Sequence, residues 1–303
     1  MNRRMTLSLF LATLAAWSGP GAFSARAADT AKVVLIAGRP SHGPGEHEFN
    51  AGCKLMAKCL GQIPGVEPVV VTGGWPKDES VLDGARTIVF FMDGGGGHPI
   101  VQGDHLEKIQ KLMDKGVGLV CLHYAVEVPV EHHGNKPGAK FLDWIGGYYE
   151  TGYSTNPHWK ADVKSLPDHP ITRGVHPFSV NDEWYFSIRF RPDMKGVTPI
   201  VVAKPDDRTR DGRSASPRGP YGHIVAAKGR DEVLGWAVER PDGGRGFGFT
   251  GAHFHKNWGD PDFRKLVLNA ILWTARLDVP AGGAETTVTP DELKQNLDPK
   301  GRR

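Results

Sequence analysis

The sequence predicts an α/β fold with a doubly wound, mostly parallel sheet and further strands added in its second half. Three observations support this prediction. Short, continuous apolar runs, typical of strands buried on both faces, recur between residues 32 and 122. Segments with apolar residues at helical spacing lie between these runs. Loops rich in glycine and histidine follow the runs, at the strand ends where α/β folds bind ligands.

Four apolar runs predict the strands of the first half, at residues 32–37, 68–71, 87–92 and 117–122. A helix is predicted after the first run, where apolar residues recur at Phe49, Cys53, Met56 and Leu60. A second helix precedes the fourth run and ends at Gly116, because glycine is common just beyond a helix end. This alternation of strands and helices favours a sheet that is covered on both faces.

The second half of the chain is richer in strands. They are predicted at residues 159–163, 183–190, 197–203, 233–238 and 245–250. Residues 205–220, rich in Asp, Arg, Ser and Pro, are predicted to form a surface loop. Asp260 and Pro261 begin the last strong helix as its cap and its first turn. Residues 280–303 are predicted to form a peripheral C-terminal tail.

The first segment has the pattern of an export signal. Arg3 and Arg4 precede an apolar run over residues 7–17, and the small-residue cleavage site Ala-Arg-Ala ends at Ala27. We therefore predict a signal peptide over residues 1–27 and a periplasmic or secreted protein without membrane contact after cleavage. A retained membrane anchor is the alternative, although the apolar run is short for a membrane span.

Composition argues against a disordered, collagen-like or coiled-coil chain and against a nucleic-acid-binding protein. Apolar residues make up 39% of the 303 residues and charged residues 23%, which is typical of a globular chain. Without Arg3, Arg4 and Arg26, basic and acidic residues balance at 34 each, so no nucleic acid is expected as a partner. The three cysteines are irregularly spaced and form no disulfide framework, and Cys53 and Cys121 fit buried positions. The sequence does not define an oligomeric state.

The loops after the predicted strands carry residues suited to ligand binding. The candidate substrate-binding residues of these loops are His42, Asp93, Gly94, Gly95 and Tyr124. Because the carboxyl ends of parallel strands meet at one edge of a sheet, we expect these residues to line one crevice. Trp258 is a further candidate, as an aromatic platform for a sugar ring, with ordinary core packing as the alternative.

Three histidines are candidates for catalysis or metal binding. His123 directly follows the fourth strand, where a nucleophile elbow places its reactive residue. Its imidazole can be a general base, a metal ligand or a donor to a ligand, or it can simply close the strand end. His253 and His255 lie two residues apart, so an extended backbone would point both towards one divalent metal. A hydrogen-bonded loop pair is the alternative for these two.

Glu183 is the candidate carboxylate. It precedes Trp184 and Tyr185 in an alternating run, and a carboxylate beside a tyrosine on a pocket wall can transfer protons. A solvated strand face is the equal alternative. The catalytic candidates are therefore His123, Glu183, His253 and His255. The candidate cofactor is a divalent metal, Zn²⁺ or Mn²⁺, with His123, His253 and His255 as its candidate ligands.

In this order, these residues resemble the trehalose-utilisation (ThuA-like) family over roughly residues 31–279. The stretches that carry the resemblance include KVVLIAGRPSHGPGEHEF, FFMDGGGGH, GVGLVCLHYAVEVP, DEWYF and GAHFHKNW. The resemblance implies a flavodoxin-like, class I glutamine-amidotransferase-like fold for a domain over residues 28–279. It also implies an exported member linked to disaccharide and oxidised-sugar catabolism. Because His123 stands where amidotransferases of this fold carry cysteine, glutamine hydrolysis is expected to be absent.

Two functions are compatible with these patterns. The first is an exported enzyme acting on a sugar or keto-sugar, of hydrolase, isomerase or lyase type, by His/Glu acid–base or metal-assisted chemistry. The second is a non-catalytic sugar-binding module that lacks the nucleophilic cysteine. Several histidines near Glu183 favour the enzyme, because a binding module needs aromatic rings more than imidazoles. Either function implies a small-molecule carbohydrate as the partner.

Overall fold

The computed structural model describes residues 30–211 and 219–300, so the predicted signal peptide over residues 1–27 lies outside the described residues. The strands are β1 (Ala31–Ala37), β2 (Val66–Val71), β3 (Ala85–Phe91), β4 (Gly118–Leu122), β5 (Gly147–Tyr148), β6 (His158–Val163), β7 (Phe178–Glu183), β8 (Arg189–Phe190), β9 (Val197–Ala203), β10 (Glu232–Glu239) and β11 (Arg245–Phe249). The helices are α1 (Phe49–Leu60), α2 (His105–Met113), α3 (Pro137–Ile145), α4 (Asp207–Arg210), α5 (Gly222–Val225) and α6 (Pro261–Thr274).

Seven strands form the central sheet, in the order β2-β1-β3-β4-β11-β10-β9. The pairs from β2 to β11 are parallel, and only β10 runs antiparallel to its two neighbours in this sheet. Two antiparallel pairs, β6 with β7 and β5 with β8, lie outside it. The predicted fold class, an α/β protein with a mostly parallel sheet and strands added in the second half, is confirmed.

Side chains of the central strands pack against helices on both faces of the sheet. Val33 and Leu35 of β1 belong to the core that contains α1 and α6. Val34 and Ile36 belong to the core that contains α2 and α3. Alternate residues of one apolar run therefore enter opposite cores, which explains why this strand carries no polar face. None of the helices in the described ranges is long and apolar enough to span a membrane.

The predicted strand over residues 183–190 is wrong as a single element. Strand β7 ends at Glu183, and the chain reaches β8 only at Arg189. Between them, Ser187 has a φ of 56°, which an extended strand does not allow. Trp184 and Tyr185 are both buried, because this segment is covered on two sides and has no solvated face. Apolar and polar residues alternate over residues 183–190 as they do in a strand, although the backbone bends at Ser187.

Two other segments are more closely attached than the sequence indicates. In the predicted surface loop, helix α4 ends at Arg210, whose buried guanidinium lies 2.7 Å from Glu232. The C-terminal tail lies against α1 and α6, where the Arg264 guanidinium donates to the carbonyl oxygen of Thr286 at 3.0 Å. The predicted cap of α6 is confirmed, since the Asp260 carboxylate accepts from two backbone N–H groups of the first turn.

Candidate metal centre

Four side chains meet at the carboxyl edge of the central sheet: His47, His123, Glu183 and His253. Each offers one nitrogen or carboxylate oxygen, and these atoms all lie within 4.8 Å of one another. They come from the loop after β1, the end of β4, the end of β7 and the loop after β11. Their side chains are almost fully buried, with Glu183 the most exposed at 13%. We call these four residues the histidine–glutamate cluster.

His123 stands at a sharp turn directly after β4. Its φ of 53° is left-handed, which costs a non-glycine residue about 1 kcal/mol and has to be held by its surroundings. Its Nδ1 lies 2.8 Å from the carbonyl oxygen of Thr250. A carbonyl only accepts hydrogen bonds, so Nδ1 carries the proton and donates it. The unprotonated Nε2 of His123 therefore faces the cluster.

His47 occupies the middle of the cluster. Its Nδ1 donates to Asp93 Oδ1 at 2.9 Å, which leaves Nε2 without a proton in the neutral ring. This Nε2 lies 3.1 Å from His123 Nε2 and 2.9 Å from His253 Nδ1. Burial, together with the neighbouring His123, lowers the pKa of the His47 imidazole, so the neutral form is favoured. In both His47 and His123 the protonated Nδ1 thus points away from the cluster, and the lone pair of Nε2 points into it.

Glu183 adds the only carboxylate of the cluster. Its Oε2 lies 3.1 Å from His253 Nδ1 and 3.4 Å from His123 Nε2. Burial alone raises the pKa of this carboxyl, but the close approach of His123 and His253 brings it well below the usual range. Glu183 is therefore ionised and lies on a nearly buried wall, which excludes the alternative of a solvated strand face.

Tyr185 covers the inner side of the cluster. Its hydroxyl oxygen lies 3.1 Å from His123 Nε2 and 3.4 Å from Glu183 Oε2. Burial, with a smaller contribution from the Glu183 carboxylate, raises the pKa of this phenol far above its ordinary value. The hydroxyl therefore keeps its proton and can donate it to either acceptor.

Sequence reasoning missed His47 and singled out His42 of the same loop. His42 lies on the open side, where its ring stacks on that of His47 at a centroid distance of 3.6 Å. Its side chain is 36% exposed, and its Nδ1 lies 3.7 Å from Asp93 Oδ1. A loop with two histidines gave no signal for which one is buried. The backbone bridge between Glu46 and Phe254 brings the second of them next to His253.

The other candidate substrate-binding residues surround the cluster. Asp93 holds His47 and keeps 38% of its side chain exposed. At Gly94, a Cβ atom would lie 2.1 Å from the carbonyl oxygen of Tyr124, so only glycine fits there. Gly95 has a φ of 65° and donates its N–H to the carbonyl oxygen of Glu127 at 2.9 Å. Burial raises the pKa of the half-buried Tyr124 phenol to about 12. His42, Asp93 and Tyr124 thus lie next to one another on the partly exposed side of the cluster, which we call the crevice.

Two sequence-based candidates lie elsewhere. The expectation that His253 and His255 point the same way is wrong, because the chain bends at His253 and a 3₁₀ helix starts at His255. His255 lines a separate cavity together with Leu293 of the tail. Trp258 is fully buried against Phe263 and Phe91, so it cannot stack on a sugar ring. For Trp258 the packing alternative is the correct one.

The C-terminal tail holds the loop that carries His47. Lys300 Nζ lies 3.4 Å from Glu48 Oε1, and the two side chains are only 4% and 1% exposed. The same ammonium donates to the carbonyl oxygens of Gly43 and Glu46. Glu48 Oε2 accepts from the backbone N–H of Asp298 at 2.7 Å. A buried ion pair therefore joins the end of the described chain to the residue next to His47.

We expect Lys300→Met to lower both stability and metal affinity. The change leaves the Glu48 carboxylate buried without its cation, which costs about 3 kcal/mol. For a protein of this size that corresponds to a melting temperature lower by about 6 °C. Lys294→Met is the matched control, because Lys294 and its partner Asp291 are 74% and 90% exposed and such pairs contribute little. Equal melting temperatures for the two variants would show that the tail does not support the loop.

The donor set of the cluster suits a divalent cation. The inward lone pairs of His47 and His123 repel each other at 3.1 Å unless a positive charge lies between them. Three imidazole nitrogens and one carboxylate are ligands that both Zn²⁺ and Mn²⁺ accept. Asp93 and Thr250 supply the outer hydrogen bonds that orient ligand histidines in metal sites.

Comparison with known proteins agrees with the fold. The family model named ThuA and described as trehalose utilisation matches residues 34–274. A ThuA-like protein from Bacteroides uniformis has a TM-score of 0.54 at 16% identity, over 88% of this chain and 99% of that one. A ThuA-like protein from Parabacteroides merdae has a TM-score of 0.52 at 16% identity, over 86% and 94%. No curated protein matches the chain at a significant level.

Proposed function

Because the chain belongs to the ThuA family of trehalose utilisation, and its function is thus related to carbohydrates, we propose that it is a metal-dependent enzyme acting on a sugar or keto-sugar. The observation that carries the proposal is the histidine–glutamate cluster, a buried set of four converging ligand atoms that opens onto a crevice. A pure sugar-binding module has no use for buried imidazoles whose lone pairs face each other. We further propose that the protein is periplasmic or secreted, on the pattern of its first 27 residues.

The residues of the crevice divide into ligands and groups that handle the substrate. His47, His123, Glu183 and His253 would hold Zn²⁺ or Mn²⁺. A divalent ion bound there supplies Lewis-acid polarisation of a substrate oxygen. Since the ligand nitrogens are then occupied, proton transfer falls to a group outside the cluster.

His42 is the group best placed for this proton transfer. Its ring lies against that of His47, its side chain is part-exposed, and Asp93 is near enough to orient it. Tyr124 lies in edge-on contact with the His42 ring at a centroid distance of 6.4 Å and can donate to a sugar hydroxyl. His42 would accept or return a proton at its part-exposed imidazole, as a hydrolase, an isomerase or a lyase of sugars each requires.

The proposal is tested by measuring metal content and turnover on the purified protein. We expect about one Zn²⁺ or Mn²⁺ ion per chain by elemental analysis, and turnover of a disaccharide or keto-sugar that stops on chelation and returns on reloading. A protein that binds sugars but turns none over in the metal-loaded form would be a binding module. A protein that takes up neither ion would contradict the metal assignment.

A further inference from the structure

A second cavity lies beside the candidate metal centre, at the carboxyl ends of β2, β1 and β3. Its volume is about 490 Å³, within the range of small-molecule sites. Strands β1 and β3 are neighbours in the sheet, and the chain leaves β1 for β2 before it returns to β3. Open α/β sheets bind ligands at such a switch in strand order. We call this space the side cavity.

Asp93 belongs to both the side cavity and the crevice of the metal centre. Its carboxylate accepts from His47 of the histidine–glutamate cluster, and the same residue lines the side cavity. A molecule that extends past Asp93 can therefore reach both spaces at once. The two spaces are adjacent along the edge of the sheet, with the side cavity at β2, β1 and β3 and the cluster around β4 and β11.

Trp75 distinguishes the side cavity from the rest of the molecule. Of the tryptophans in the described ranges, six are buried: Trp144, Trp159, Trp184, Trp236, Trp258 and Trp273. Among the tryptophans in the described part of the chain, only Trp75 is half-exposed, and it lines the side cavity. Its ring stacks on His105 at a centroid distance of 3.8 Å, with the two planes only 6° apart. A rigid aromatic surface thus remains open at the edge of the sheet where ligands bind.

The polar groups around this aromatic surface include donors, acceptors and both signs of charge, and hydrogen bonds fix its two rings. Trp75 Nε1 donates to Glu79 Oε1 at 2.7 Å, which fixes the indole ring. His105 Nδ1 donates to the carbonyl oxygen of Pro99 at 2.7 Å, so the other ring nitrogen can accept a hydrogen bond. Arg39 and Asp93 add one positive and one negative group to the lining.

We propose that the side cavity is a second sugar subsite, which binds one ring of a disaccharide whose other ring lies at the metal centre. An aromatic surface beside hydrogen-bond donors and acceptors suits the apolar face and the hydroxyl edge of a sugar ring. The balanced charge of Arg39 and Asp93 favours a neutral ligand over an anion. The proposal rests on the proposed function, and it specifies the substrate as a carbohydrate of at least two units.

The test compares trehalose and glucose as probes on the metal-loaded full chain, by calorimetry and tryptophan fluorescence. The wild-type protein is expected to bind trehalose at least about tenfold more tightly than glucose, because only trehalose fills both spaces. Trp75→Ala is expected to reduce the affinity for trehalose about tenfold, to that for glucose, with unchanged metal content. Trp75→Phe keeps an aromatic ring and is the matched control, expected to retain most of the affinity.

Fluorescence and a second variant distinguish an incorrect subsite assignment from a variant that fails to fold. Trehalose should change the emission of the wild-type protein and not that of Trp75→Phe. Arg39→Ala, an exposed change on the same lining, should also weaken trehalose binding if Trp75→Ala fails to fold. Equal affinity of the wild-type protein for both sugars, binding of neither at millimolar concentration, or unchanged trehalose binding in the variants would overturn the subsite. Absence of metal and of turnover would instead contradict the proposed function.

Discussion

His123→Ala is expected to yield a folded protein that no longer retains a divalent ion. His123 supplies an Nε2 lone pair that the Thr250 carbonyl directs into the cluster, and alanine offers no ligand in its place. Mutation of a residue that only hydrogen-bonds to a metal ligand typically reduces metal affinity about 10- to 100-fold. Loss of a ligand itself should therefore reduce metal affinity by at least about 100-fold. Turnover of any sugar should fall with the metal.

His255→Ala is the matched control for this experiment. His255 is as buried as His253 and lies two residues away, yet it belongs to another cavity. We expect His253→Ala to lose the ion and His255→Ala to retain it. Asp93→Ala removes the acceptor that orients His47 but none of the four ligands, so the metal affinity of this variant should lie between those of His253→Ala and His255→Ala. Metal content is measured by elemental analysis after dialysis against a weak chelator. Equal metal content in His123→Ala, His253→Ala, His255→Ala and Asp93→Ala would contradict the assignment of the cluster.

Most of the sheet could be predicted from the sequence, because its strands are covered on both faces. Such strands read as continuous apolar runs, and the observed β1, β3 and β4 lie within two residues of the predicted bounds. The segment between Glu183 and Arg189 could not be predicted in this way. Its alternation matched a half-buried strand, whereas its bend depends on packing against β6 and on the backbone bridge between Thr155 and Phe186.

The candidate site could be predicted in part, for a related reason. His123 and His253 follow the ends of β4 and β11, so the parallel sheet itself brings them to one edge. His47 lies well beyond the end of β1, and contacts between loops return it to that edge, among them its backbone hydrogen bond to the carbonyl oxygen of His253 at 2.9 Å. A contact between two loops leaves no periodic pattern in either, so the sequence favoured the neighbouring His42.

The sequence alone does not show which tryptophans are exposed to a ligand. Trp258 lies in a stretch that resembles the ThuA-like family, and the sequence offers it as a candidate sugar platform with core packing as the alternative. It packs inside the core beside α6, whereas Trp75, in a short loop after β2, keeps part of its indole at the surface. Composition gives the number of tryptophans, but only the packing of the helices decides which of them a ligand can reach.

Asp182→Asn is expected to be the most destabilising of the conservative changes near the site. Asp182 is fully buried, and Oδ1 accepts from the backbone N–H groups of Glu183, His253 and Phe254 at 2.8, 3.0 and 3.3 Å. Oδ2 accepts from the Ala252 N–H at 2.8 Å and from the Asn257 amide at 2.9 Å. One carboxylate thus holds two ligands of the cluster, Glu183 and His253, in place.

An asparagine at this position satisfies only one of the two sets of donors. Whichever way its amide is turned, an NH₂ group faces at least two buried donors, each of which costs about 1–3 kcal/mol when left without an acceptor. We expect a loss of about 3 kcal/mol in the free energy of unfolding and a melting temperature lower by about 6 °C. Metal affinity should also fall, because the loop that carries His253 loses the carboxylate that holds its backbone. Asp162→Asn, on β6 with a side chain 61% exposed, should change neither quantity. An Asp182→Asn protein as stable as the wild type, with full metal content, would mean that the turn carrying His253 is held by its own backbone and not by this carboxylate.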